Sequence, residues 1–171
     1  MAISKIKASS MNLADTYSFT GTVSGAGKVL QVVSGTTTTS MSTTSTTYAD
    51  TNLTANITPS STSSKIYVIV NQNIQLDDNT DDRVGAGLRV LRDSTVIYGG
   101  DQPYEIFLEN NTGNATQNIF HINRNYLDSP SSTSEITYKT QGRIYEGNNS
   151  VAFNAGSVEG TITLMEIEGW Y

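Results

Sequence analysis

The densest apolar run in the chain is Lys65-Ile66-Tyr67-Val68-Ile69-Val70, and β-branched residues dominate it. A short run of this kind, bounded by turn residues, predicts a strand buried on both faces or nearly so. A polar stretch broken by Pro59 precedes it. Two further runs, Lys28-Val29-Leu30-Gln31-Val32-Val33 and Thr161-Ile162-Thr163-Leu164-Met165-Glu166-Ile167, have the same character. The three together are expected to form the centre of a β-sandwich.

The rest of the pattern fits that frame. Leu53, Ala55 and Ile57 alternate with polar residues, which gives one buried face. The Thr- and Ser-rich stretch of residues 35–47 reads as an edge strand or long loop with Met41 dipping inward. Residues 84–91 and Val96-Ile97-Tyr98 flank the turn Arg92-Asp93-Ser94-Thr95 and predict a hairpin. In the strand predicted over residues 118–127, Ile119, His121, Asn123 and Asn125 fall on one face, and Phe120, Ile122, Arg124 and Tyr126 on the other. Ile136-Thr137-Tyr138-Lys139 and Arg143-Ile144-Tyr145 read as a pair of strands. Eight to ten short strands, with turn signals between them and no amphipathic helical stretch, predict an all-β fold. The expected architecture is an antiparallel β-sandwich of jelly-roll type spanning residues 28–171.

Residues 1–27 stand apart. Ile3, Ile6, Leu13, Tyr17 and Phe19 are among their few apolar positions, and Gly21, Gly25 and Gly27 mark a flexible exit. So little apolar surface does not fold alone. The segment is expected to dock on another chain as an anchor.

Composition narrows the function classes. The chain has 171 residues, a net charge of −6 and no cysteine. Disulfides, thiol catalysis and Cys-ligated metals are excluded. The net acidity argues against bulk attraction to nucleic acid or to an anionic membrane. The first seven residues lack a long apolar core after their lysines, so no signal peptide is expected. No apolar stretch approaches the roughly 20 residues of a membrane span. The expectation is a protein made in a cytoplasm, with no membrane insertion.

Candidate chemistry is sparse. Asp77, Asn79 and Asp81 alternate like the start of a calcium loop, but Asp82 stands where that loop needs Gly and Leu88 where it needs Glu. The competing reading, a solvated acidic loop, is preferred, and neither a metal nor a cofactor is assigned. His121 is the only histidine. It is read as a strand residue facing a polar surface or a subunit contact, because abundant Ser and Thr make any nearby hydroxyl weak evidence for a triad. Glu105, Glu109, Asp128, Glu135 and Glu146 are scattered carboxylates, and sequence does not give the spacing a glycosidase pair needs. Tyr98, Tyr104, Tyr126, Tyr138 and Tyr145 suit either sugar stacking or strand ends and interfaces with wet hydroxyls. No catalytic residue is assigned, and the chain is read as a non-enzyme.

The leader Asn12-Leu13-Ala14-Asp15-Thr16-Tyr17-Ser18-Phe19-Thr20-Gly21-Thr22-Val23, the run Lys28 to Val33, the Thr/Ser tract, Ile57-Thr58-Pro59-Ser60-Ser61-Thr62-Ser63-Ser64-Lys65-Ile66 and the terminal Thr161 to Ile167 occur in this order. In that combination the chain resembles small virion and fibre-type proteins of tailed bacteriophages, especially marine and cyanobacterial ones. The resemblance implies a structural protein of the virion, fibre-like and homotrimeric, anchored by its N-terminus to a tail or capsid component. It also implies a head that contributes to host adsorption by contacting a surface glycan or protein. The alternative it leaves open is a capsid decoration or cement protein that stabilises the shell. On the fibre reading the host-contact loops would hold Asp77, Asp78, Asn79, Asp81 and Asp82, with Asn110, Asn111 and Asn114.

Overall fold

The computed structural model describes residues 28–78, 83–99, 105–109, 114–145 and 149–169. The expected anchor, with Ile3, Ile6, Leu13, Tyr17 and Phe19, lies outside the described residues, as do Asn79, Asp81, Asp82, Asn110 and Asn111.

Eleven strands run through the described residues. They are β1 (Val29–Thr37), β2 (Met41–Thr43), β3 (Ala49–Ile57), β4 (Lys65–Asp78), β5 (Arg83–Arg92), β6 (Thr95–Tyr98), β7 (Ile106–Glu109), β8 (Thr116–Asp128), β9 (Ile136–Ile144), β10 (Ser150–Phe153) and β11 (Gly160–Ile167). All pairings are antiparallel. The first sheet is organised on β4. Along one edge β4 pairs with β8 over its whole length. Along the other it pairs with β11 from Lys65 to Asn71 and with β10 from Ile74 to Asp77. β1 lies outside β11, and β2 outside β10. The second sheet runs β3-β9-β5, with β6 and β7 sharing the far edge of β5. Leaving out the short β2, β7 and β10, the order β1-β11-β4-β8 packs over β3-β9-β5-β6. The first strand pairs with the last and the chain crosses repeatedly between the sheets, which is the jelly-roll wrap.

Period-two patterning explains which face is which. On β4, Ile66, Val68, Val70, Ile74 and Leu76 point inward and are buried, while Lys65, Tyr67 and Ile69 point outward and are half-buried. The expectation of a strand buried on both faces is therefore corrected, because a second sheet covers only one face of the first. The run at residues 28–33 is also not central: β1 is an edge strand, and its outward residues stay exposed.

The predicted strand pair between residues 136 and 145 is in fact one strand, β9. Gly142, which falls in the gap between the two predicted strands, sits inside it. A Cβ at that position would overlap the Phe153 ring, so the glycine makes room for the largest aromatic of the adjoining core.

The core has two apolar parts. One gathers Leu53, Ile57, Ile66, Val68, Val70, Val90, Ile136, Tyr138, Ile162 and Leu164. The other gathers Ile74, Leu76, Val84, Leu88, Ile122, Ile144, Val151 and Phe153. Each fully buried Ile, Leu or Phe contributes about 1.5–3 kcal/mol. Between the parts lies a buried polar layer at Gln72, where β4 changes neighbour from β11 to β10. Gln72 Nε2 donates to Thr51 Oγ1 and to Asn154 Oδ1, both at 3.0 Å. Thr140 Oγ1 donates to Gln72 Oε1 at 3.2 Å. Asn154 Nδ2 donates to the Thr51 carbonyl at 2.9 Å. The backbone gap left between β11 and β10 is closed by Asn154 N donating to the Asn73 carbonyl at 3.1 Å, and by Asn73 Nδ2 donating to the Ala155 carbonyl at 2.9 Å. The Gln72, Thr51, Thr140 and Asn154 side chains are all paired, so they join the two sheets across the core, while Asn73 is bonded through its Nδ2 alone.

Candidate interaction surface

Among the described residues the outer face of the first sheet is open at its Lys65 end, whereas Asn73, further along β4, is buried and bonded to the Ala155 carbonyl. Register defines its rows. Val32 lies opposite Met165, Met165 opposite Tyr67, and Tyr67 opposite Leu127, so one row crosses four strands. Beside it Val29 lies opposite Ile167. Val32 is 55% exposed, Leu127 50% and Val29 49%, with Leu30 also exposed. Apolar side chains adjacent in a row form a patch, and patches of this kind mark interaction sites more often than scattered ones do. Toward the other end the face turns polar: Ser34 and Thr163, then Thr36, Thr161, Asn71 and Asn123.

The sheet ends at β8, whose outer edge pairs with no described strand. Side-chain ties hold its inward face to the second sheet. Asp128 accepts from Arg92 Nη1 through both oxygens at 2.9 Å and from the Tyr138 hydroxyl at 2.7 Å. Burial, together with the bond to Asp128, pushes the Tyr138 phenol far above its ordinary value. Arg124 forms an ion pair with Glu105. Tyr126 meets Tyr98 with ring centroids 6.5 Å apart. An edge strand is a template for unwanted pairing, and charged residues such as Arg124 blunt it.

At the far end of β11, Glu166 has no exposed surface and accepts from Ser60 N at 2.7 Å, Ser60 Oγ at 2.6 Å and Gln31 Nε2 at 2.6 Å. Burial alone would raise its pKa, but the hydrogen bonds from Ser60 and Gln31 outweigh it and hold the carboxyl below its usual 4.5. This carboxylate pins the Pro59 loop to β1 and β11.

The sequence-predicted residues fall in different places. His121 is exposed on the outer face of the first sheet, in register with Asn73. Glu109 faces Arg83 across 3.5 Å at the surface. Tyr138, a candidate for sugar stacking, is buried in the core and its hydroxyl is used by Asp128. Asp77 and Asp78 do not open a loop; they end β4, paired in register with Gln117 and Thr116. The Asp77 carboxylate accepts from Gln75, Gln117 and Ser150, and Asp78 is buried. Asn114 is exposed in the bend before β8. Among the described residues no three of His, Asp and Glu gather as a metal-binding group.

Sequence reasoning missed the outward residues of the second sheet, where Tyr48, Arg89 and Arg143 converge. They come from three segments far apart in the chain, and nothing in their local sequence announces the meeting.

No family model and no curated protein matches the chain. Among solved structures, it is similar to a chain of the T13 particle of infectious bursal disease virus at 14% identity and a TM-score of 0.39, covering 92% of this chain and 41% of that one. It is similar to the Gt strain of that virus at 14% identity and a TM-score of 0.39, covering 93% and 44%. The chain thus spans about two-fifths of the length of these structures. A likeness this loose says nothing about the role of this chain.

Proposed function

We propose that the protein is a non-enzymatic structural component of a tailed-phage virion, fibre-like and homotrimeric, whose head contributes to adsorption. The observation that carries this reading is the row Val32, Met165, Tyr67 and Leu127 with Val29 beside it. An apolar row of that size on one sheet face is suited to a second copy of the same surface or of its neighbour in a closed ring. Residues 1–27 lead directly into β1, beside this row, and serve as the anchor to a tail or capsid component. The resemblance of the leader and strand order to virion and fibre-type proteins supports the same assignment. So does the use made of the buried ionisable groups: Asp128, Arg92, Tyr138 and Glu166 are consumed in ties between strands and loops, as in a protein built for durability.

The test is a deletion of residues 1–24 combined with a particle-incorporation assay. The truncated head is expected to remain folded and to be missing from purified particles. A truncated chain that still joins the particle overturns the anchoring role.

A further inference from the structure

The outer face of the second sheet carries a different chemistry. Arg89 on β5 and Arg143 on β9 both lie over the ring of Tyr48, with guanidinium carbons 4.1 and 4.6 Å from its centroid. The sequence holds five arginines. Arg83, Arg92 and Arg124 are paired with carboxylates. Among the described residues Arg89 and Arg143 have no carboxylate partner, although two cations sharing one ring repel each other. Asp50, close enough to feel the charge of Arg89, is already committed to Lys139 Nζ at 2.9 Å and Gln141 Nε2 at 2.6 Å. With Lys139 neutralised by Asp50, the two guanidiniums leave this face locally basic in a chain whose net charge is −6.

The cations are also held in place. Arg89 donates from Nε and Nη2 to Gln141 Oε1, at 2.9 and 2.6 Å. Arg143 Nη1 reaches the Thr46 carbonyl at 3.4 Å. Gly87 opens the space beneath: a Cβ there would sit 2.9 Å from Tyr48 Oη and 3.1 Å from Arg143 Nε. Those two atoms are buried donors with no acceptor among the described residues. Buried donors are almost always satisfied, so a pair left open beside two unneutralised guanidiniums calls for an acceptor that carries negative charge.

We propose that Tyr48, Arg89 and Arg143 form a recognition site for an oxyanion, a carboxylate or phosphate group carried on a surface polysaccharide. Fixed guanidiniums match the geometry of an oxyanion, the Tyr48 hydroxyl supplies a further donor, and Gln141 and the Thr46 carbonyl hold the two guanidiniums in position. A duplex nucleic acid is disfavoured, because its long phosphate track would meet the remainder of an acidic surface. The site itself stands on its own geometry. Only the identity of the carrier, a host polysaccharide, rests on the adsorption role proposed above.

The experiment is a titration of the full chain, by calorimetry and by amide chemical shifts, with a glucuronate-containing oligosaccharide, a neutral oligosaccharide of equal length and inorganic phosphate. Saturable binding of the acidic sugar and none of the neutral one is expected. R89Q and R143Q should each weaken it by about tenfold, the effect of losing one charge-assisted contact. Y48F, which removes only the hydroxyl, tests the site without disturbing the ring and should weaken binding severalfold. R143K, which keeps the charge and loses the planar fork, should bind in between and guards against misfolding of R143Q. Phosphate binding that depends on the same residues supports the oxyanion site and assigns it to phosphorylated polymers. Absence of saturable binding by any anion, or binding unchanged in R89Q, R143Q and Y48F, overturns the site. Native mass measured on the same samples reports assembly separately, so loss of one proposal leaves the other standing.

Discussion

Thr140 and Gln72 meet across the centre of the sandwich, with the threonine hydroxyl of one sheet donating to the glutamine carbonyl of the other at 3.2 Å. Gln72 occupies an inward position on β4 that the strand's alternation would otherwise give to an aliphatic residue. Its amide holds Thr51 and Asn154 as well. Replacing Gln72 with Ala strands buried groups on several strands at once. The expected loss is about 2–3 kcal/mol of unfolding free energy, since each unsatisfied buried polar group costs about 1–3 kcal/mol. Urea denaturation with an unchanged m-value checks it; a variant as stable as the parent would show that the layer is dispensable.

Gly142 and Phe153 predict a coupled pair. Gly142→Ala should cost about 1–3 kcal/mol through overpacking, because the new methyl meets the aromatic ring. Phe153→Leu alone leaves a smaller side chain in the second part of the core and is also destabilising. The double variant is expected to be more stable than the sum of the two losses implies, because the leucine frees the space the methyl needs. Additive losses in a double-mutant cycle would mean that the ring does not confine residue 142.

How far the sequence revealed this fold follows from what alternation can and cannot encode. Strands β3, β4, β8 and β11 were legible because Leu53, Ile66, Ile122 and Leu164 recur on one face with polar residues between them. The continuity of β9 was hidden, because Gly142 falls in the gap between the two predicted strands and its reason, the Phe153 ring, lies on the opposite sheet. Asp77 and Asp78 read as a solvated loop because charge normally marks one; the hydrogen bonds from Gln117 and Ser150 that let the strand continue through Asp77 come from other strands. The apolar row has the same origin. Val32, Met165, Tyr67 and Leu127 become neighbours only through pairing register, which sequence does not display. The cluster at Tyr48 was invisible for that reason too.

Glu166 gives the protein an acid-sensitive tie. Its carboxyl titrates below 4.5 in the folded protein and nearer 4.5 when unfolded. The stabilisation is therefore complete above the unfolded value and is lost as pH falls through the depressed folded value. The urea midpoint should fall on acidification below about pH 5, over the range where free carboxyls protonate. Glu166→Gln should lower stability at neutral pH and flatten part of that slope. An identical pH slope in the parent and in Glu166→Gln would remove the carboxylate from the account.

The apolar row predicts a surface whose disruption separates assembly from folding. Val32→Asp and Leu127→Asp change residues that are half-exposed in the single chain, so each is expected to alter the monomer's unfolding free energy by no more than about 0.5 kcal/mol. Both should weaken self-association, read by sedimentation across a concentration series. Unaltered association in both variants would move the contact to another face.

The most direct test of the structural role is the native mass of the full chain in solution, by light scattering coupled to size exclusion. Assembly through the outer face of the first sheet predicts a mass three times the 18.4 kDa of one chain, reduced in the Val32→Asp and Leu127→Asp variants. A single species of 18.4 kDa that persists at high concentration would contradict it.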